Sequence, residues 1–183
     1  VGIDSKAGKS QGLADVDYET LLQEGDAEAG WQHAADEGDA ISLNYTSGTT
    51  GNPKGVVYHH RGAYLNAIGC ALAWNMTHHP VYLWTLPMFH CCGWTFPWTI
   101  AAMGGTNVCL RRIAAKDIYG AIDRDKVTHF CGAPIVLNFI VNASVDDRKP
   151  LPHTVEVMTA GAAPPAAILN GMKAAGFHIT HGY

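Results

Sequence analysis

Val127-Thr128-His129-Phe130-Cys131 is β-branched and aromatic, and after a Gly-Ala-Pro break Ile135-Val136-Leu137-Asn138-Phe139-Ile140-Val141-Asn142 runs on as a longer apolar stretch. The first has the length and composition of a strand, the second those of a helix. Outward from this pair the alternation repeats. Toward the C-terminus, residues 154–159 read as strand, 165–175 as helix and 177–180 as strand. Toward the N-terminus, residues 115–123 read as helix, 106–110 as strand and 93–103 as a very apolar helix. Before these come strand 81–86, helix 61–74 and strand 41–46. Strands separated by helices predict an α/β fold, a mostly parallel sheet with helices on both faces. In such sheets ligands bind beyond the carboxyl ends of the strands. The segments at Ser47, His90, Ala133 and Gly161, and the end at Tyr183, all follow strand-like runs, so they are expected on one rim.

Residues 1–39 form a different region. The first twelve are polar, Asp17 can cap a short helix carrying Tyr18, Leu21 and Leu22, and residues 25–38 read as an acidic, irregular linker. The core is expected from Ala40 onward.

Bulk composition narrows the function classes. The chain has 183 residues, of which 48% are hydrophobic and 15% charged, enough for one domain with a real core and unlike a disordered chain. Twelve basic against sixteen acidic residues give a formal charge of −4, which argues against nucleic acid or an anionic membrane as the main partner. No stretch has the length of a membrane span, and residues 1–10 lack a secretory pattern. Cys70, Cys91, Cys92, Cys109 and Cys131 are odd in number and contain no Cys-x-x-Cys, as in a reduced cytoplasmic protein.

Between two strand-like runs lies Tyr45-Thr46-Ser47-Gly48-Thr49-Thr50-Gly51-Asn52-Pro53-Lys54-Gly55. Its glycines let the backbone turn, and its hydroxyls, amides and one lysine can converge on a ligand with many anionic oxygens, a phosphate chain. The plain alternative is a flexible surface loop, but a hydroxyl-rich loop set between strands favours phosphate. It is not a Walker A loop, because Lys54 is followed by Gly55 rather than Ser or Thr.

This segment resembles the phosphate-loop signature of the adenylate-forming enzymes, the acyl-CoA synthetase and AMP-ligase superfamily. Leu86-Pro87-Met88-Phe89-His90 is similar to that family's second core motif, and Gly161-Ala162-Ala163-Pro164-Pro165 to its adenine-side loop. His181-Gly182-Tyr183 resembles the opening of the next motif, and residues 91–98 are similar to the medium-chain fatty-acid and methylmercaptopropionate CoA-ligase branch. The resemblance runs from about Tyr18 to the last residue. It implies that the chain is the central part of a larger N-terminal domain, with residues 40–183 a nucleotide-binding core incomplete at its C-terminus.

The resemblance also assigns roles. Thr46, Ser47, Gly48, Thr49, Thr50, Gly51 and Lys54 would hold the β- and γ-phosphates of ATP. Gly161, Ala162, Ala163, Pro164 and Tyr183 would meet the adenine. His90 would lie beside the substrate carboxylate and orient it, with Gly182 in the substrate pocket; Trp94 is a pocket candidate from its own apolar aromatic segment, one face of which can line an acyl pocket. The implied reaction joins a carboxylic acid to coenzyme A through an acyl-adenylate, using ATP and Mg²⁺, whose carboxylate ligand follows Tyr183 in the family. Each residue also has an ordinary reading: Lys54 as a solvated lysine, His90 as a packed or surface histidine, Trp94 as core, Gly161–Pro165 as a plain strand-to-helix turn. His59-His60, His78-His79 and His90-Cys91-Cys92 do not match zinc spacing, so no metal site is expected within the chain. The vicinal Cys91-Cys92 departs from the family pattern, which usually has a single cysteine there.

Two other readings stay open. The chain by itself can be an inactive nucleotide-binding or structural fragment, or the parent can be an adenylation unit that passes the acyl group to another acceptor. Uncovered sheet surface also leads to an expectation of self-association.

Overall fold

The computed structural model describes residues 15–46 and 51–182. The chain divides between Ala35 and Asp36 into two units, each described by itself.

In the first unit, α1 (Tyr18–Glu24) begins where Asp17 accepts a hydrogen bond from the Thr20 amide at 3.0 Å. The Thr20 hydroxyl and amide hold the Asp17 carboxyl below its usual range. Gly25 closes the helix by donating to the Leu22 carbonyl. The expected cap is therefore present.

The described residues of the second unit form two sheets. β1 (Ala40–Thr46) and β2 (Lys54–His59) pair antiparallel, with Leu43 opposite Val57, Asn44 opposite Val56, and Thr46 opposite Lys54. β3 (Val81–Trp84), β4 (Thr106–Cys109), β5 (His129–Cys131), β6 (Val155–Thr159) and β7 (Phe177–His181) form a five-stranded sheet in the order β4-β3-β5-β6-β7, parallel at every pairing. The α/β architecture expected from the alternation is present. One placement differs: residues 41–46 belong to a separate hairpin, not to the parallel sheet. The seven residues between Thr46 and Lys54 are few enough for the chain to fold back on itself, whereas a parallel return needs a long crossover.

The sheet's alternating side chains feed two apolar layers. Leu83, Phe130, Val155, Val157 and Phe177 point to one face and pack under α5 (Ala115–Asp125), α6 (Pro134–Val141) and α7 (Ala166–Ala174). These helices supply Ile118, Ala121 and Ile122 at i, i+3, i+4, then Val136, Leu137 and Ile140, then Met172, all buried. Tyr82, Trp84 and Cys131 point to the other face, under α2 (His60–Ala73) and α4 (Phe96–Ala102). Tyr82 stacks on Phe96 with ring centroids 5.0 Å apart. Ala63, Ala67 and Ala71 form a small-residue stripe on α2, which lets α4 approach closely enough for the Thr99 hydroxyl to donate to the Ala67 carbonyl. On this second face Thr154, Glu156, His178 and Thr180 line a pocket shared with Ala73, Trp74 and Asn75 at the end of α2.

The expected helix over 93–103 is a correction. Residues 91–95 all have positive φ, 49°, 47°, 57°, 57° and 71°, so α3 (Cys91–Trp94) is a single left-handed turn. The right-handed helix starts only at Phe96, with Pro97 in its first turn, where a missing N–H costs nothing.

His129 is buried against the edge of Trp74, ring centroids 5.1 Å apart, and burial pushes its pKa down, with Glu156 opposing weakly. A histidine held neutral in the fold binds fewer protons than in the unfolded chain. Its contribution is therefore present above about pH 6.5 and is lost as pH falls through that value toward the lowered folded pKa. Urea midpoints at pH 7.5 and 5.5 should show an acid loss that is smaller in His129→Gln; an equal loss in both proteins would exclude His129 as a source.

Candidate functional site

In the order β4-β3-β5-β6-β7 the connections after β3 and β5 leave in opposite directions, so the crevice of the parallel sheet lies beyond the carboxyl ends of these two neighbours. The Thr85 hydroxyl donates to the Cys131 carbonyl there and ties the two ends together. The chain then leaves β3 through Pro87 and Met88 to Phe89 and His90. His90 donates its backbone N–H to the Pro87 carbonyl at 3.2 Å, and Gly93 donates to the His90 carbonyl at 2.9 Å.

The hairpin meets this loop. Asn44, Tyr45, Thr46, Pro53, Val56 and Tyr58 of the hairpin, with Phe89, His90 and Cys91 of the loop, line a cleft of about 490 Å³. Two contacts fix the approach. The Asn44 side-chain amide donates to Cys92 Sγ at 2.8 Å, and Ser42 Oγ lies 3.4 Å from the same sulfur. Tyr58, opposite Ser42 in the hairpin, lies against Trp98 with ring centroids 6.3 Å apart. At the other end β2 runs directly into α2, whose start is capped by His59 Nδ1 accepting from the Gly62 amide at 2.9 Å.

The left-handed turn below the cleft is held by neighbours. Gly93 lies against the Trp84 ring; a Cβ there would sit 2.6 Å from it. Trp84 is itself fixed, its indole N–H donating to Asn107 Oδ1 at 2.8 Å. Thr95 accepts from the Asn66 side-chain amide of α2.

The residues singled out from sequence are distributed as follows. Thr46 ends β1, Lys54 opens β2 directly opposite, and both are exposed. Ser47, Gly48, Thr49 and Thr50 lie outside the described residues, as does Tyr183. Gly51 is exposed with open space around its Cα. His90 is exposed on the cleft wall. Trp94 is half-buried and packs against the Tyr82–Phe96 cluster. Gly161 follows β6 at φ 84°, exposed with Ala162 and Ala163, whereas Pro164 is buried. Gly182 follows β7 and donates to the Thr159 carbonyl at 2.8 Å, which places it beside the Gly161 segment. Thr46 and His90 therefore share one cleft, and Gly161 and Gly182 share a neighbouring part of the rim. Among the described residues, the cleft wall includes none of Gly51, Lys54, Trp94, Gly161–Pro164 and Gly182.

Asn44, Tyr58, Phe89 and Cys91 were not among the sequence candidates. Strand periodicity carried a signal for Asn44, which shares a face with Thr46; Tyr58 joins only through the hairpin register. The cleft offers amide and hydroxyl groups beside aromatic walls, suited to an anionic, partly apolar ligand. Among the described residues no group of three His, Cys, Asp or Glu side chains could hold a metal.

The family model for AMP-binding enzymes matches residues 4–183, and the chain belongs to that family. It is 57% identical over 169 residues to a protein named acetate/butyrate–CoA ligase AAE7, peroxisomal, from Arabidopsis thaliana, covering 92% of this chain and 30% of that protein. The inhibitor-bound N-terminal domain of FACL13 from Mycobacterium tuberculosis is 26% identical, with TM-score 0.83 over 92% of this chain and 43% of the other. The O-succinylbenzoate coenzyme A synthetase of Bacillus subtilis, solved with ATP and magnesium ion, is 25% identical, with TM-score 0.79 over 91% of this chain and 35% of that one. The chain thus spans about a third or less of such a curated relative, within the N-terminal part of the adenylate-forming fold.

Proposed function

We propose that the parent protein activates a short or medium carboxylic acid as its acyl-adenylate and transfers it to coenzyme A, and that this chain supplies part of the ATP and acid sites. The observation that carries the reading is that Thr46, paired with Lys54 at the end of the hairpin strands, lines one cleft together with His90. The relative named for acetate and butyrate supports a small acid, and the aromatic walls at Tyr58 and Phe89 suit a short apolar chain.

In this reading the carboxylate oxygen attacks the α-phosphorus of ATP and the bond to pyrophosphate breaks. A thiol then displaces AMP. The protein's part in the first step is positioning and charge neutralisation. Thr46, Ser47, Gly48, Thr49, Thr50 and Gly51 offer hydroxyl and amide donors to the leaving pyrophosphate, and Lys54 its cation. His90 orients the acid. Gly161, Ala162, Ala163, Pro164 and Tyr183 border the adenine, with Gly182 between the two regions. Mg²⁺ would neutralise phosphate oxygens, its carboxylate ligand coming from elsewhere in the parent. Residues 1–39 serve as lead-in and 40–183 as the nucleotide-binding core. Among the described residues no helix is long and apolar enough to cross a membrane. The five unpaired cysteines fit a reducing compartment, for which we favour the cytoplasm over the peroxisome named for the Arabidopsis relative. The hairpin's exposed Leu43, Tyr45 and Val57 favour self-association of the isolated chain.

ATP–pyrophosphate exchange by the full-length protein with acetate, butyrate and hexanoate tests the reading, followed by thioester formation on adding coenzyme A. No acid-dependent exchange would overturn it; exchange without a coenzyme A thioester would favour delivery to another acceptor. Within that assay Lys54→Ala should lower exchange about 10- to 100-fold, the value of one charge-assisted contact, with unchanged melting. Wild-type exchange would remove Lys54 from the site.

A further inference from the structure

Cys91 and Cys92 are consecutive, unpaired and set in the left-handed turn that borders the cleft. Cys91 is exposed and lines the cleft wall, and Cys92 is half-buried behind it with its sulfur held by Asn44 and Ser42. Both thiols act on the Tyr58 phenol, whose pKa is raised first by burial and then by the two sulfurs. Two thiols on consecutive residues thus border the cleft near the Tyr58 phenol, Cys91 on the wall itself and Cys92 against Asn44 and Ser42. The remaining cysteines have no such neighbour in sequence. Cys70 is half-buried on α2, and Cys109 is exposed at the end of β4. Cys131 is fully buried, its thiol pushed far up by burial.

We propose that Cys91 and Cys92 form a vicinal dithiol site at the cleft mouth that captures trivalent arsenicals. With an arsenoxide, R–As=O, both S–H bonds break and two As–S bonds form. The two protons leave with the oxygen as one water, and arsenic remains trivalent, so no oxidant or reductant enters. The cyclic product is favoured over two separate thioarsenites because the second bond closes intramolecularly. Its R group would project from Cys91 into the cleft, and the bridge would draw the Cys92 sulfur from Asn44. The site stands independently of the ligase reading.

The test uses this chain, phenylarsine oxide and intact-mass spectrometry in excess glutathione, which strips single-thiol adducts but not a dithiol bridge. The expected result is one adduct that resists glutathione and is released by 2,3-dimercaptopropanol. Cys91→Ser should lose it, as should Cys92→Ser, whereas Cys109→Ser should keep it. Cys91 is exposed, so its replacement leaves the fold intact, and peptide mapping of the wild-type adduct across residues 89–94 provides a readout without any variant. A glutathione-resistant adduct that survives in Cys91→Ser, or maps elsewhere, overturns the proposal, as does a wild-type chain with no resistant adduct.

Discussion

Phe130→Ala is expected to destabilise the chain by about 3–5 kcal/mol, the usual result of removing a fully buried aromatic ring. Phe130 is 0% exposed, sits in a central strand between β3 and β6, and meets Phe177 edge-on with ring centroids 6.0 Å apart. Its ring is enclosed by helix side chains on one side of the sheet, and helices anchored elsewhere cannot collapse into the gap. A loss of that size is a large share of the roughly 5–15 kcal/mol available to a domain. The urea midpoint should fall steeply, or the variant should fail to accumulate in folded form. A midpoint within experimental error of the wild type would mean that β5 is not the centre of the core.

Gly93→Ala should cost about 2–5 kcal/mol, through two separate effects. The backbone at φ 57° disfavours any side chain, and the new methyl would meet the Trp84 ring at 2.6 Å. The ring cannot swing away without losing its bond to Asn107. Gly120→Ala is the control: Gly120 lies within α5 with open space at its Cβ position, and alanine there should stabilise by about 0.5–1 kcal/mol. Thermal melting of both variants separates a general glycine effect from a local one. Equal behaviour would show that the Trp84 contact does not constrain the turn. On the proposed ligase reading, Gly93→Ala in the full-length protein should also weaken adenylation, because the same turn carries His90 and Cys91 to the cleft.

How far the sequence reaches can be judged from these same residues. The alternation around residues 127–142 gave the parallel sheet and its helices because buried parallel strands are continuous apolar runs and helices repeat at three and four residues. The direction of residues 41–46 was not legible: an alternating strand looks the same whether its partner runs parallel or antiparallel, and only the seven-residue return distinguishes them. The left-handed turn was hidden because Cys91, Cys92, Trp94 and Thr95 have no preference for positive φ; the conformation is set by tertiary contacts. Thr46 and His90, which share the cleft, could be picked out as candidates because they sit in long motifs. Asn44 and Tyr58 join the cleft through hairpin register, and Cys91 through the turn, neither of which is written locally.

The strand order also bears on how the chain is assembled as it leaves the ribosome. β3 and β4 form a first pair, and each later strand then attaches to the edge exposed by the one before: β5 on β3, β6 on β5, β7 on β6. No strand has to be wedged between two already paired ones, so the sheet grows in the direction of synthesis, at the roughly 5–20 residues per second of translation. The growing edge is a template at every stage, and among the described residues β7 is the last to add to it.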